Sequence, residues 1–397
     1  MFLMELIKMQ KKDFTKKMLS LLPMKKRIVL ESHPDFACNT WPLYEEMLKR
    51  GYNDKYEIVW AIKKTEKAPK VKNDKNVRCV EVLPIGKLRR WKWRFFLARS
   101  CCLVYSNRFL IKYNKKQFSM YMTHGSQIKH TRGIHEMGDK GDWCMYQAEM
   151  FREVTAYEVN CPVESMVCFG SPRNDYFFRQ SDSINRLIPD KGDKKVIIWL
   201  PTFRQQANDR PGSKCTEHIF PFGLPIIEKN EDFDALNDIL VKNDTILLFK
   251  PHPSQDISYL KTRALSNFVV IDDQVLFDLN IHLYELMQQT DALITDYSSV
   301  YFDYLLADKS IGLTIDDLED FTAVRGFAHD DIGPLLVGDN IADMGDMEIF
   351  IAQVSRGEDP MLEKRKAVKD RTNKYQDGHS SERVCDFIEK WLKENME

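Results

Sequence analysis

The stretch "ALITDYSSVYFDYLLADK" (residues 292–309) passes from a short apolar run to an aromatic, helix-like run. Thr295–Ser299 joins the two runs with two serines and an aspartate but no glycine. A short apolar run without alternation is typical of a strand that is buried on both faces of a parallel sheet. The stretch therefore predicts a strand–helix unit of an α/β fold, and it poses the question of what the two serines do at the turn.

The same alternation extends through the second half of the chain. Before the quoted strand, "NIHLYELMQQT" has its apolar residues at helical spacing. The runs that we predict as strands are "VIIWLPT", "TILLFKPHP", "FVVID", "ALITDYSS", "SIGLTI" and "PLLVGD". Apolar strands that alternate with helices predict a parallel sheet covered on both faces.

The first half repeats this organisation. Its helix "TWPLYEEMLKRG" has Thr40 as the predicted N-cap, Pro42 in the first turn and Gly51 as the stop. The predicted strands are "RIVLES", "EIVWAI", "VRCVEV", "CCLVYS", "FSMYMT" and "MVCFG". We therefore predict a second, separate Rossmann-like unit.

Two such units fit a chain of 397 residues. The polar segment Arg179–Lys195 is the predicted linker. We place the domains at 1–180 and 181–397, as two Rossmann-like domains that face each other across a central cleft. The last helix, roughly 380–393, is expected to pack back onto either domain.

Composition excludes several classes of protein. With 58 basic and 59 acidic residues the net charge is −1, which argues against a polycation that binds nucleic acid. Nine scattered cysteines without C-x-x-C favour buried thiols in a reducing cytoplasm. No apolar run reaches the roughly 18 to 20 residues of a membrane span, and the lysine-rich N-terminus does not resemble a signal peptide. We expect a cytoplasmic protein.

The sequence lacks the main cofactor and nucleophile motifs. It contains no P-loop, no G-x-G-x-x-G after a strand and no G-x-S-x-G. The spacing of His130 and His135 from His124 does not place metal ligands on one helix face, and the Asp-Asp pairs are typical of surface loops. We therefore predict neither a metal nor another cofactor.

Two segments interleave basic and apolar residues. Lys87–Arg99 lies within "GKLRRWKWRFFLARS", and the N-terminal "LIKMQKKDFTKKMLSLLPMKK" has the same character. Such segments favour attachment to an anionic membrane surface. The alternatives are nucleic-acid binding and ordinary packing, in which the lysines form a solvent-exposed face.

Ligands of parallel sheets bind beyond the carboxyl ends of the strands, so the residues at those ends are the candidates for a site. Ser298 and Ser299 would cap a helix, where backbone N–H groups and hydroxyls suit a phosphate; simple capping is the alternative. Lys250 and His252 follow another strand, between prolines that fix the backbone. The other candidates at strand ends are Arg173, Asn174, Thr202, Arg204 and Asp296.

His124 follows the strand "FSMYMT" directly, and Gly125 next to it permits a close approach of a ligand. Histidine is the usual general base near neutral pH. A core histidine that is satisfied by a backbone carbonyl is the alternative.

Eight segments in order resemble the CDP-glycerol glycerophosphotransferases of teichoic acid synthesis. Together they extend over nearly the whole chain. They are "ESHPDFACNTWPLYEEMLKRGYNDKYEIVWAIKK", "LARSCCLVYSNRFLIKYNKKQFSMYMTHGSQIK", "CFGSPRNDYFF", "IWLPTFR", "FKPHP", "ALITDYSSVYFDYLL", "DLEDFTAVRGFAHDDIGPLLV" and "YQDGHSSERVCDFI".

The resemblance implies a GT-B-like fold and a CDP-activated polyol phosphate as donor, bound mainly by the second domain. The acceptor would be a lipid-linked glycan or polyol-phosphate chain at the cytoplasmic face of the membrane. His124 and His252 match the family's two motif histidines, and Ser298 and Ser299 match the helix start at the donor phosphates. Further cleft-facing matches are Arg325, Gly326, Ser380 and Ser381.

This sequence departs from the family pattern at four positions. Thr123 and Ser126 stand where the family usually has tryptophan and threonine, and Phe203 replaces the more usual tryptophan. Lys250 replaces an arginine, which keeps the charge but loses the bidentate fork. These changes leave the identity of donor and acceptor open, with CDP-ribitol or a capsule-type substrate as alternatives to CDP-glycerol.

The resemblance and the residues together predict a phosphotransfer reaction. His124 is expected to act as general base on an acceptor hydroxyl, which attacks the β-phosphorus of CDP-glycerol and displaces CMP. His252, Lys250 and the Ser298–Ser299 turn are expected to stabilise the phosphate charge. A glycosyltransferase that uses a nucleotide sugar and a catalytically silent scaffold of envelope assembly are the alternatives.

Overall fold

A computed structural model of the chain describes residues 14–63, 65–82, 86–131, 136–137, 141–202, 220–251, 260, 263 and 265–396. Two parallel sheets form its framework, which confirms the predicted α/β class.

The first sheet has seven parallel strands in the order β3-β2-β1-β4-β5-β6-β7. Ile28 and Leu30 of the central strand point to one face and Val29 to the other, and all three are fully buried. Both faces are therefore covered, as the apolar strands predict. The strands are β1 Lys25–Glu31, β2 Glu57–Ile62, β3 Val77–Glu81, β4 Ser100–Tyr105, β5 Phe118–Tyr121, β6 Trp143–Tyr146 and β7 Met166–Cys168.

The second sheet has six parallel strands in the order β10-β9-β8-β11-β12-β13. Its order repeats that of the first six strands of the first sheet, so each sheet reverses its winding once: between β1 and β4, and between β8 and β11. The strands are β8 Lys195–Trp199, β9 Thr245–Phe249, β10 Phe268–Val270, β11 Ala292–Thr295, β12 Ser310–Leu313 and β13 Asp339–Asn340.

Helices cover the faces of both sheets. Short 3₁₀ helices connect several elements, including Thr65–Val71 and Pro172–Phe178. The α-helices are α1 (residues 14–20), α2 Thr40–Lys49, α3 Tyr52–Lys55, α4 Lys87–Ala98, α5 Arg152–Glu158, α6 Ser183–Leu187, α7 Glu231–Lys242, α8 Asp273–Asp278, α9 Leu283–Gln289, α10 Val300–Tyr304, α11 Leu318–Val324, α12 Met344–Arg356, α13 Leu362–Thr372 and α14 Ser380–Met396.

Three local predictions need correction. The segment "PLLVGD" is mostly not a strand, because Gly333–Leu335 forms a 3₁₀ helix and only Asp339–Asn340 pairs with β12. Thr40 does not cap α2: the helix begins at Thr40, whose hydroxyl donates to the Glu31 carbonyl at 2.9 Å. Strand β6 was not predicted.

The last helix, α14, packs on the first sheet. Phe387 contacts the rings of Phe118 and Trp143, with centroids 5.9 and 5.2 Å apart. The Tyr52 hydroxyl donates to the Cys385 carbonyl at 3.0 Å. The chain thus returns to the first domain after completing the second sheet; the boundary near residue 180 stays a prediction.

Candidate active site

A cavity of about 720 Å³ lies at the carboxyl ends of both sheets. His33 to Cys38 follow β1, and Asn107 and His124 follow β4 and β5. From the second sheet, Pro201 follows β8, Lys250 follows β9, and Ser298 and Ser299 follow β11. The cavity therefore lies where both sheets reverse their winding, which is where ligands of such sheets bind.

The His124 ring is exposed to this cavity and held at both nitrogens. Its Nε2 lies 2.7 Å from Nδ2 of Asn107, and its Nδ1 lies 3.5 Å from Sγ of Cys38. With the Asn107 amide donating to Nε2, the ring proton lies on Nδ1 and points at the sulfur. Thr123, just before it, has a positive φ of 51°, so the chain turns sharply as it leaves β5.

Cys38 is the second ionisable group beside this ring. Burial opposes ionisation of its thiol, but the charges of His124 and Arg173 outweigh burial and lower the pKa of Cys38 to about 6. The Nη1 group of Arg173 also donates to the sulfur at 3.5 Å. The structure therefore places an ionisable sulfur beside the ring of His124.

Arg173 and Asp303 form a buried ion pair between the two domains. Nη2 of Arg173 lies 2.6 Å from Oδ2 of Asp303, and their side chains are 5% and 0% exposed. Asp303 belongs to α10 in the second domain, whereas Arg173 follows β7 in the first. The Nη1 group of Arg173 donates to the His124 carbonyl, so the pair fixes the His124 loop against α10.

Asp303 accepts three further hydrogen bonds. The Tyr284 hydroxyl donates to Oδ2 at 2.7 Å. The amides of Asn174 and Gln147 each donate to Oδ1 at 3.0 Å. With four donors on two oxygens, the buried carboxylate is fully satisfied, which is what a charge at this depth requires.

Gly125 lies against the Ser299 turn of the second domain. Its φ of +151° and its surroundings both exclude a side chain, because a Cβ atom would lie 2.4 Å from Oγ of Ser299 and 2.8 Å from Nη2 of Arg173. The glycine therefore brings the His124 loop directly against the Ser299 turn.

Ser298 and Ser299 do not cap α10 in the predicted way. The helix begins at Val300, and Ser299 has helical backbone angles and no side-chain cap bond. Only Ser298 Oγ accepts from the Val300 N–H, at 3.4 Å. Since α10 has five residues, its dipole is short, and what the turn offers to the cavity is mainly the two half-buried hydroxyls.

Asp296 braces the turn after β11. It is fully buried and accepts from the N–H and the hydroxyl of Thr202 at 2.7 and 2.5 Å. Thr202 in turn accepts from Nζ of Lys129 at 3.1 Å. These bonds tie the loops after β8 and β11 to each other.

Lys250 lines the cavity, with its side chain 10% exposed and its Nζ 2.9 Å from Oδ1 of Asp273. His252 and Arg204 lie outside the described residues. Within the described residues, no group of three or more His, Cys, Asp or Glu side chains is arranged to hold a metal.

Three predicted residues lie away from the cavity. Ser380 and Ser381 are buried at the start of α14, where each backbone N–H donates to the Asp175 carboxylate at 2.8 Å. Arg325 ends α11, and its N–H donates to the Phe321 carbonyl. The structure thus brings together His124, Arg173, Lys250, Ser298 and Ser299 at the cavity, with Gly125 packed against Ser299. The other candidates Asn174, Thr202 and Asp296 are not among the residues that line it.

Sequence reasoning missed one wall of the cavity. Lys63, Lys67 and Lys70 line it from the loop and 3₁₀ helix that follow β2. The signal was present in "KKTEKAPKVK", a basic run directly after a predicted strand. Asn107, Cys38 and Asp303 were also missed, because their roles depend on contacts between distant segments.

Comparison with known proteins finds relatives among the enzymes of teichoic acid synthesis. A family model described as CDP-Glycerol:Poly(glycerophosphate) glycerophosphotransferase matches residues 14–390. The chain is 28% identical over 235 residues to a teichoic acid ribitol-phosphate primase of Bacillus spizizenii, covering 56% of this chain and 52% of that protein. It is 24% identical over 353 residues to a teichoic acid poly(glycerol phosphate) polymerase of the same organism, covering 79% of this chain and 80% of the other. The chain thus spans about half the length of the first relative.

Solved structures share the fold. A structure of the wall teichoic acid polymerase TagF superposes with a TM-score of 0.72 at 21% identity, covering 94% of this chain and 91% of the other. The two parallel sheets and this likeness establish the GT-B-like arrangement. A putative UDP-N-acetylglucosamine 2-epimerase of Listeria monocytogenes is more distant, with a TM-score of 0.51 at 12% identity, covering 93% of this chain and 97% of the other.

Proposed function

The chain belongs to the CDP-glycerol:poly(glycerophosphate) glycerophosphotransferase family, and we propose that it transfers a polyol phosphate from a CDP-polyol to a hydroxyl of a teichoic-acid-type acceptor, releasing CMP. CDP-glycerol is the donor that we propose, with CDP-ribitol as the alternative. The observation that carries the proposal is the position of His124, which lies in a cationic cavity at the switch points of both sheets.

We assign His124 the role of general base. The acceptor oxygen attacks the β-phosphorus of the donor, and its proton passes to Nε2 of His124. The bond between this phosphorus and the oxygen that links it to the α-phosphate breaks, so CMP leaves with the electron pair. Asn107 orients the ring before the acceptor binds, and the acceptor hydroxyl takes its place at Nε2, while Cys38 contacts Nδ1 throughout this step.

The donor phosphates are proposed to bind on the second-domain side. Lys250, Ser298 and Ser299 line the cavity there, and their ammonium and hydroxyl groups suit a pyrophosphate. His252 and Arg204, outside the described residues, belong to the same strand ends in the sequence and are proposed as further donor contacts. Such transfer depends mainly on positioning and electrostatics, and the rigid Arg173–Asp303 pair supports both.

We also propose that one face of the first domain lies on an anionic membrane surface, where a lipid-linked acceptor would be found. Helices α1 and α4 each present an apolar stripe at helical spacing, 44 to 80% exposed. Leu19 and Leu97 anchor both helices in one buried cluster, which places them on the same side. The stripes are Phe14, Met18 and Leu21, and Leu88, Trp91 and Phe95.

Basic residues flank the α4 stripe. A groove of about 450 Å³ beside Trp91 and Phe95 is also lined by Lys25, Arg27 and Arg99. Cations beside exposed aromatic rings suit phospholipid headgroups at an interface. Within the described ranges, no helix combines the length and apolar character needed to span a bilayer.

One assay tests the reaction. Purified protein is given CDP-glycerol, CDP-ribitol or a UDP-sugar with lipid-linked acceptors, and released nucleotide and product length are measured. We expect CMP release, with His124→Asn lowering kcat at least about a hundredfold. His130→Asn is the matched control, because His130 lies on the same loop but pairs with Glu158 at 2.8 Å.

The outcomes separate the alternatives. Release of UDP with sugar transfer would identify a glycosyltransferase instead. The absence of turnover with every donor would identify a catalytically silent scaffold. Full activity of His124→Asn would remove this residue from the mechanism.

A further inference from the structure

Lys67 is a nearly buried lysine without an anionic partner. It belongs to the 3₁₀ helix Thr65–Val71, is 5% exposed and lines the cavity. Within the described residues its ammonium makes no hydrogen bond or ion pair, and it lies over the Phe277 ring, 4.6 Å from the centroid. An unpaired ammonium at such depth is unfavourable unless a ligand compensates it.

Lys70 repeats the arrangement one turn later. Its Nζ lies 4.3 Å from the Trp41 ring centroid and 5.3 Å from that of Phe277. Both ammonium groups therefore face the Phe277 ring. The distance between the two nitrogens cannot exceed the sum of their distances to the centroid of that ring. Burial lowers the pKa of Lys70 to about 8, and the charge of Lys67 acts in the same direction, whereas Glu45 and Glu285 oppose the shift.

Two other basic side chains of the cavity have carboxylate partners. Its lining contains five basic side chains and two acidic ones. Arg173 pairs with Asp303, and Lys250 pairs with Asp273. Within the described residues Lys67 and Lys70 have no comparable ion pair, and both belong to the 3₁₀ helix that follows β2.

We propose that Lys67 and Lys70 form a second phosphate subsite, which binds a phosphodiester group of the acceptor while the donor occupies the opposite wall. The inference rests on the proposed polyol-phosphate transfer. Because the 3₁₀ helix follows β2, which pairs with β1 in the sheet, this wall lies beside the His33–Cys38 loop and on the side of His124. A phosphate bound there would hold the acceptor chain with its terminal hydroxyl near the base.

The test compares two acceptors with the same lipid and the same terminal hydroxyl, one with a glycerol-phosphate unit and one without phosphate. We expect Lys67→Met and Lys70→Met each to raise KM for the phosphorylated acceptor about tenfold or more, so that its advantage over the phosphate-free acceptor is lost. Lys67→Arg keeps the charge and should retain most of the preference. The matched control is Lys72→Met, which removes an exposed lysine just beyond the 3₁₀ helix.

KM for the CDP-polyol is measured with the same variants, which distinguishes an effect on donor binding from an effect on acceptor binding. A rise confined to the donor KM, or an unchanged acceptor preference, would overturn the subsite. Methionine retains the packing on Phe277, and thermal melting checks that each variant is folded.

Failure of the reaction itself is a separate result. Equilibrium binding of a glycerol-phosphate oligomer measures the subsite without turnover. Lys67-dependent binding in a native protein that releases no CMP would refute the proposed reaction but support the subsite. CMP release without Lys67-dependent binding would refute the subsite alone.

Discussion

Replacing Asp303 by asparagine tests whether the interdomain ion pair holds the site together. Oδ2 of Asp303 accepts hydrogen bonds from Arg173 and Tyr284. Its Oδ1 accepts hydrogen bonds from Asn174 and Gln147. Asparagine has only one oxygen, so in either orientation its NH₂ group faces two donors. The Arg173 guanidinium also loses its only ion-pair partner among the described residues while it remains buried.

The expected cost follows from the burial of the pair. Leaving one member of a buried ion pair uncompensated costs about 3 to 5 kcal/mol, which is a large part of the stability of a typical domain. We therefore expect Asp303→Asn to shift the midpoint of urea unfolding clearly downward. Transfer activity should also fall, because the His124 loop and α10 are no longer fixed to each other.

Asp54→Asn is the matched control, because Asp54 pairs with Lys75 at 2.8 Å on the open surface. Exposed pairs of this kind contribute about 0 to 1 kcal/mol. The double variant Arg173→Met/Asp303→Asn should lose less stability than the sum of the two single variants, since no unpaired guanidinium remains. A loss below about 1 kcal/mol for Asp303→Asn, equal to that of the control, would refute the reasoning.

Three further predictions concern single residues. Gly125→Ala should lower both stability and kcat, because its Cβ would lie 2.4 Å from Oγ of Ser299; unchanged unfolding and kinetics would contradict this packing. Iodoacetamide at pH 7 should label Cys38 before Cys101, with a rate midpoint near pH 6, since the pKa of Cys38 is about 6 whereas burial raises that of Cys101 to about 11. If mass spectrometry detects labelling of Cys38 only above pH 8, Cys38 is not a thiolate at pH 7. The pKa of Lys70 falls from 10.5 in the unfolded chain to about 8 in the native state. Between these two pH values the native state has lost the Lys70 proton while the unfolded chain still holds it, so Lys70 destabilises the fold less as pH rises from about 8 to 10.5. The stability gained by Lys70→Met should shrink over that interval in urea titrations, and a gain independent of pH would contradict the shift.

The strands could be predicted because they are apolar on both faces. "EIVWAI" and "ALIT" correspond to β2 and β11, since continuous burial leaves a clear signal in a parallel sheet. The same signal failed at "PLLVGD", because a short apolar run after a proline is equally compatible with a 3₁₀ turn. β6, with four residues, is too short to stand out from its surroundings.

The site was predictable only as far as it follows from strand ends. His124, Lys250, Ser298 and Ser299 come directly after strands, and topology alone brings them to one cavity. The Arg173–Asp303 pair joins residues 130 positions apart, and no local pattern marks it. Asp296 braces the turn through Thr202, which follows the neighbouring strand β8 and lies 94 positions away, so no local pattern shows this contact.

The position of α14 has a consequence for how the chain folds during synthesis. Phe118 and Trp143 of the first sheet are covered by Phe387, which the ribosome adds more than 200 residues later. Domains usually fold in the order in which they emerge. Here the first domain exposes an aromatic face until α14 is released, so the nascent chain needs protection of that face throughout the translation of the second domain.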